Sequence, residues 1–222
     1  MFDGLVDHYD RLNRLLSWGL DRRWRAAACR SLDLAPGSRV LDLGCGSGDL
    51  SLALTPRFRV VGLDISERML RLAARRLAGR AALLRGSVFQ LPFPAAAFDG
   101  LVSGFVLRNL YDLPAAFAEM ARVVAPGGRV ALLDAVEPGN PLVRRLFDAY
   151  FGRVAPALGA LVGQRRAYQY LVRSLAHLPP PRQLCRLLEE AGFSDCRARP
   201  LQLGAVTLLT AARRSASEGS ES

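Results

Sequence analysis

The chain has 222 residues, half of them hydrophobic, and a net charge of +10 from 30 basic and 20 acidic side chains. That length suits one α/β domain able to bury roughly 70 % of its unfolded surface, and no run reaches the ~18 apolar residues that a membrane-spanning helix needs. All basic residues are arginine, and no aromatic platform is interleaved among them. They therefore read as a solvated basic face rather than an RNA-binding surface, and no nucleic-acid partner is expected.

Val6 to Arg30 is predicted to be helical, with Leu12, Leu15, Leu16 and Leu20 on one face. Strands and helices then alternate. Strands are predicted at Arg39–Leu43, Arg59–Asp64, Ala81–Arg85, Phe98–Ser103 and Arg129–Ala135. Helices are predicted at Leu50–Thr55, Ser66–Leu77 and Leu113–Val124, the last stopped by Pro126-Gly127-Gly128. This alternation implies a parallel sheet covered on both faces. Leu142 to Tyr170 forms a long helical excursion, Arg182–Ala191 a last helix, and Phe193–Arg199 with Leu203–Ala211 a closing hairpin. The expectation is one domain over residues 1–214, with a helical cap at 1–30, a lid insertion at 142–180 and a disordered polar tail at 215–222.

The chemistry is written most densely in Arg39-Val-Leu-Asp42-Leu-Gly44-Cys-Gly46-Ser47-Gly48-Asp49. An apolar strand runs into a glycine-rich turn and a helix, where glycine permits both the turn and a close ligand approach near the positive end of the helix. The dinucleotide fingerprint is Gly-x-Gly-x-x-Gly. Here the third glycine comes one residue early and an aspartate precedes the first. That acidic-x-Gly-x-Gly-x-Gly pattern is the one associated with S-adenosylmethionine-dependent methyltransferases, and its spacing disfavours a nicotinamide oxidoreductase. Asp64 ends the next strand 20 residues after Gly44, the distance at which an acidic residue accepts from ribose hydroxyls in βαβ sites. It also begins the N-cap region of the following helix.

Cys29, Cys45, Cys185 and Cys196 form no Cys-x-x-Cys pair, and with only His8 and His177 no metal cluster is suggested. Free thiols and a reducing, cytoplasmic setting are expected. Met1–Asp7 lacks the basic and apolar regions of a signal peptide.

The chain resembles the C-methyltransferases of menaquinone and ubiquinone biosynthesis over nearly its whole length. The resemblance rests on Tyr9-Asp-Arg-Leu-Asn13, Trp18-Gly-Leu20, Arg23-Trp24, the glycine loop, Leu91-Pro-Phe-Pro94, Phe105-Val-Leu-Arg-Asn109, Ala167-Tyr-Gln-Tyr-Leu171 and Ser174. It implies a Rossmann-like class I S-adenosylmethionine-dependent methyltransferase fold with a seven-stranded, mostly parallel sheet, and places the chain nearest the branch that methylates a demethylmenaquinol in the final step of menaquinone formation. Ser47, Asp64, Ser87 and Val88 are then cofactor contacts, and Asp42 with Gly44, Gly46 and Gly48 frames the methionine end. The family often has Asp or Asn where Ser87 stands, and acidic residues where Gln164-Arg165-Arg166 stand.

Carbon methylation needs an electron-rich ring, which a quinol provides once a hydroxyl loses its proton. His8, Tyr9 and Arg108 are the candidate catalytic groups. Asn109, Tyr168 and Tyr170 are the candidate acceptor-side residues. A prenylated acceptor lies in the bilayer, and Leu142, Val143, Leu146, Phe147, Tyr150, Phe151 and Val154 share one helical face. Such a face can lie on an anionic membrane as a peripheral contact or pack onto the sheet, and the oligomeric state is left open. Another lipophilic phenol, a benzoquinol or, less favoured, an RNA base are the alternative acceptors.

Overall fold

The computed structural model describes residues 19–136, 138–149 and 178–215. Their strands are β1 (Arg39–Leu43), β2 (Arg59–Asp64), β3 (Ala82–Arg85), β4 (Phe98–Gly104), β5 (Val124–Ala135), β6 (Phe193–Leu201) and β7 (Val206–Arg213). They form one sheet in the order β3-β2-β1-β4-β5-β7-β6. The pairs from β3 to β5 are parallel, and β7 runs antiparallel to both of its neighbours. This is the seven-stranded arrangement expected from the chain order.

The helices are α1 (Asp21–Ser31), α2 (Asp49–Leu54), α3 (Glu67–Leu77), α4 (Leu113–Val123), α5 (Pro141–Ala149) and α6 (Pro181–Glu190). The side-chain period of two divides each central strand between two cores. Leu41, Leu43, Leu101, Val130, Leu132 and Leu209 face α4 and α6, where they meet Phe117, Met120, Leu184 and Leu188. Val40, Val102, Ala131, Leu133 and Leu208 face the other way, toward Ala28, Leu32, Leu50 and Leu54 of α1 and α2. Both sheet faces are thus covered, which is why the parallel strands are apolar at successive positions.

Local chemistry sets the boundaries. Ser66 and Asp112 cap α3 and α4 by accepting the backbone N–H of Met69 and Ala115. The helix expected over Val6–Arg30 does not run unbroken: Gly19 has φ +73°, and α1 starts only at Asp21. What precedes Gly19 lies outside the described residues, as do 150–177 of the expected lid and 216–222 of the tail. Strand β5 begins at Val124, before the Pro-Gly-Gly turn, because Val124 already pairs with Phe98. Between Ser194 and Arg197 the β6–β7 register shifts, and Asp195 takes φ +54°.

One expectation is corrected. Cys185 on α6 and Cys196 on β6 form a disulfide, with Cα atoms 5.4 Å apart. Helix and strand bring together two cysteines that carry no short-spacing signature. Cys29 and Cys45 remain free thiols, both pushed upward in pKa by burial.

Candidate functional site

A cavity of about 380 Å³ opens at the carboxyl ends of β1, β2 and β4 and beside the segment after β3, where open α/β sheets bind ligands. The glycine loop forms its floor. Gly44 has φ +69°, and a Cβ there would lie 2.4 Å from Val106 Cγ2. Conformation and space thus both require glycine. A Cβ on Gly46 would meet nothing within 4 Å, consistent with the cavity it lines.

The loop is anchored by its own amides. The N–H groups of Gly44 and Cys45 donate to the Leu63 carbonyl at 2.7 and 3.0 Å, Gly48 donates to Cys45, and Gly46 donates to Asp64 Oδ2 at 2.8 Å. These four amides are engaged inside the protein, and α2 behind them is only six residues long. The loop is therefore not the phosphate cradle that free amides on a helix N-terminus would make.

The wall is acidic instead. Among the described residues it contains the carboxylates Asp42, Asp49 and Asp64 against one guanidinium, that of Arg25. Asp64 is held rigidly, because Ser66 N–H donates to Oδ1 while Gly46 donates to Oδ2. Burial raises its pKa in spite of these bonds. Asp42 is fully buried on β1, and Ser51 Oγ of α2 donates to its Oδ2 at 2.6 Å. Its Oδ1 has no hydrogen-bond partner among the described residues, and burial pushes its pKa up to about 6. Such an orphaned acceptor calls for a donor from a ligand.

Of the residues expected at the cofactor, Asp42, Gly44, Gly46, Ser47, Asp64, Ser87 and Val88 all line this cavity, as does Asn109 of the acceptor set. Ser47 Oγ accepts from Arg76 Nη1 at 2.9 Å, and Ser87 Oγ accepts the Phe89 N–H at 3.2 Å. Gly48 is not in the wall: its φ is +85° and it packs against Ala73 and Leu77 of α3. Arg108 is not in the wall either. Its side chain is 2 % exposed and turns away from the cavity to Asp134. His8, Tyr9, Tyr168 and Tyr170 lie outside the described residues.

Ile65, Phe89 and Phe105, from the turns after β2, β3 and β4, also line the wall, and so do Arg25, Met69 and Tyr111, which chain order alone did not single out. Phe89 and Tyr111 stack at 4.3 Å between ring centroids at the rim, where Tyr111 is 87 % exposed. Ile65 is also exposed, a signal only the structure makes visible.

S-adenosylmethionine, the cofactor implied by resemblance, fits these features. It carries a sulfonium and an ammonium for an acidic wall, a ribose for Asp64, and no phosphate. Among the described residues no group of metal-ligating side chains occurs, and no helix is long and apolar enough to cross a membrane.

Comparison with known proteins bears on the family and the fold. The sequence model of the ubiE/COQ5 methyltransferase family matches residues 1–213. A ubiquinone/menaquinone biosynthesis C-methyltransferase of Syntrophotalea carbinolica is 41 % identical over 219 residues, covering 96 % of this chain and 92 % of the relative. A demethylmenaquinone methyltransferase of Roseiflexus castenholzii is 38 % identical with the same coverage. A solved S-adenosylmethionine-dependent methyltransferase from Aquifex aeolicus has the same fold. It aligns with a TM-score of 0.66 and 16 % identity over 92 % of this chain and 97 % of that one.

Proposed function

The chain belongs to the ubiE/COQ5 methyltransferase family, and on that basis we propose that it transfers a methyl group from S-adenosylmethionine to a ring carbon of a demethylmenaquinol. The observation that carries the reading is the acidic cavity of an otherwise basic protein, three carboxylates against one guanidinium among the described residues. A cationic cofactor matches it; a dinucleotide, with two phosphates, would be repelled.

When bound, S-adenosylmethionine supplies an electrophilic methyl on a sulfonium with a neutral leaving group. The chain's part is binding and alignment, which alone can lower a barrier by several kcal/mol, on the order of 7–11 in well-oriented cases. Asp64, locked by two amides, accepts from the ribose hydroxyls. Ser87, Val88 and Ile65 border the adenine end, and Asp42 takes the ammonium. On the far side Phe105, Leu110 and Tyr111 give an apolar, aromatic approach for a flat acceptor.

A quinol ring is nucleophilic at the carbon beside an ionised hydroxyl. A phenol with pKa near 10 keeps its proton at neutral pH unless a base takes it. A guanidinium such as that of Arg108 is already protonated and cannot take that proton, so His8 or Tyr9 of the amino-terminal segment is the proton acceptor of this reading. After the new C–C bond forms, the same ring carbon gives up its own proton and aromaticity returns. Tyr168 and Tyr170 contribute to the acceptor pocket. A benzoquinol is the second acceptor, favoured by the 41 % identical relative named for both quinone pathways. Leu142 is 66 % exposed on α5 beside exposed Arg144 and Arg145, which supports peripheral contact with anionic bilayers.

The test is methyl transfer from labelled S-adenosylmethionine to short-chain demethylmenaquinol, the oxidised quinone, a benzoquinol and RNA. Product from the reduced naphthoquinol and none from the quinone is expected. Cofactor binding with no product from either quinol would overturn the acceptor assignment.

A further inference from the structure

Two buried polar atoms in the cavity wall have no hydrogen-bond partner among the described residues, and they carry opposite charge: Asp42 Oδ1 and Arg25 Nε. Each is costly to leave unsatisfied in the interior. Together they match a zwitterion.

Arg25 lies on α1 and reaches over the carboxyl end of β4. Its Nη1 is 3.8 Å from the position a Cβ on Gly104 would take, and its Cζ is 5.6 Å from the Phe105 ring centroid. Its side chain is 15 % exposed. Asp21 Oδ2 lies 3.7 Å from Nε and Asp49 Oδ2 3.8 Å from Nη2. Both separations suit charge attraction but leave the Nε hydrogen unused. Asp49 is itself bonded to Arg76, so Arg25 is steered rather than consumed.

The strand order gives direction to a bound cofactor. Ser87 and Val88 follow β3, Asp64 ends β2, Asp42 and the glycine loop belong to β1, and Arg25 overhangs β4. A ligand with its adenine at β3 and its ribose at Asp64 has its amino-acid end between Asp42 and Arg25.

We propose that Arg25 anchors the α-carboxylate of S-adenosylmethionine, while Asp42 receives the α-ammonium, so that α1 and β1 clamp the amino acid from two sides. The inference rests on the cofactor reading above and adds a residue that decides which sulfonium compounds are accepted. Arg25 is a binding residue on this view, and a sulfonium ligand lacking the carboxylate loses its contact.

The experiment compares binding of S-adenosylmethionine and decarboxylated S-adenosylmethionine by calorimetry, using the full chain and its R25Q and D42N variants. The wild type is expected to bind S-adenosylmethionine about 10- to 100-fold tighter than the decarboxylated compound, although the latter carries more positive charge. R25Q should erase that preference by weakening S-adenosylmethionine alone, whereas D42N should weaken both ligands. A loss in R25Q that is equal for both ligands, or no loss, overturns the proposal and leaves Arg25 a packing residue on Phe105. If R25Q does not fold, the wild-type preference decides, since equal affinity for the two ligands overturns the proposal with no variant needed. Failure of the wild type to bind either ligand overturns the cofactor reading and this inference together.

Discussion

Arg108 Nη1 donates to Asp134 Oδ1 at 2.7 Å between side chains that are 2 % and 0 % exposed, so the pair is sealed in the core. Asp134 also accepts the backbone N–H of Arg108 and of Ala135, and burial still drives its pKa upward. The pair ties the turn Leu107–Asn109 to the end of β5, and that turn leads into Asn109, Leu110 and Tyr111 of the cavity wall. Arg108 is therefore a positioning residue. Arg108→Met should cost about 3–5 kcal/mol by stranding a buried carboxylate, a fall in Tm of roughly 6–20 °C for a domain of this size. The double variant R108M/D134L should recover much of it. Since Arg108 moves no proton, the pH–rate profile of the folded single variant should keep its limbs; a lost limb would restore a catalytic role.

Asp42 makes cofactor affinity depend on pH. Its folded pKa, about 6, is raised above the ordinary value of 3.8, burial being the largest cause. The native state thus holds this proton more tightly than the unfolded chain. Its stabilising effect is complete below the unfolded value and is lost as pH rises through about 6. A cationic ligand needs the ionised form, so affinity should run in the opposite sense and weaken as pH falls from 7.5 to 5. Asp42→Asn should raise Tm at pH 7.5, lower affinity, and remove the inflection near pH 6 in a calorimetric titration series.

Gly44 tests the loop's shape. Gly44→Ala must place a methyl 2.4 Å from Val106 Cγ2 at φ +69°, an angle costing a non-glycine residue roughly 1–2 kcal/mol before any clash. Cofactor binding should fall at least tenfold. Adding Val106→Ala should relieve the clash but not the angle, recovering part of the affinity. Full recovery would show that strain contributes nothing.

These tests fall on features of unequal visibility in the sequence. The glycine loop, Asp64, Ser87 and Val88 were legible because each is a strand end followed by its own turn, and the parallel order lines such ends up. Arg108 misled because its partner is 26 residues on, and only the β4–β5 register, Gly104 opposite Leu133, brings Asp134 beneath it. Arg25 and Tyr111 reach the cavity by packing rather than motif. A tyrosine with most of its surface in solvent looks the same in a sequence as one in a core.

The Leu91-Pro-Phe-Pro94 element has a mechanical origin. Glu119 accepts the Leu91 N–H at 2.7 Å, and Arg122 donates to the carbonyls of Leu91 and Phe93 at 2.9 and 2.7 Å. Arg122 also bonds Glu119, which lowers the carboxyl's pKa. Glu119→Ala should therefore loosen the segment that carries Val88 and Phe89. We expect a stability loss of about 1–3 kcal/mol and a raised KM for the cofactor with little change in kcat. Unchanged KM would mean that the clamp and the wall are independent.

The Cys185–Cys196 bond is open to a chemical count. Protein purified without reductant, unfolded and alkylated, should take up label at Cys29 and Cys45 only. Reduction should cost roughly 2–3 kcal/mol for a short closed loop, without loss of transfer activity, because β6 is at the far end of the sheet from β2. Labelling of all four residues would show the thiols to be reduced.

That same outer strand governs what the protein does in a crowd. β6 offers its free side to solvent with Arg197, Arg199 and Pro200 along it and a register shift at Asp195, while the opposite edge, β3, is only four residues long. Charge, proline, a bulge and brevity are the means by which sheets avoid adding foreign strands. Among the described strands neither rim is a ready template for a neighbour, so copies of the enzyme can be held at high local concentration without their sheets joining into fibres.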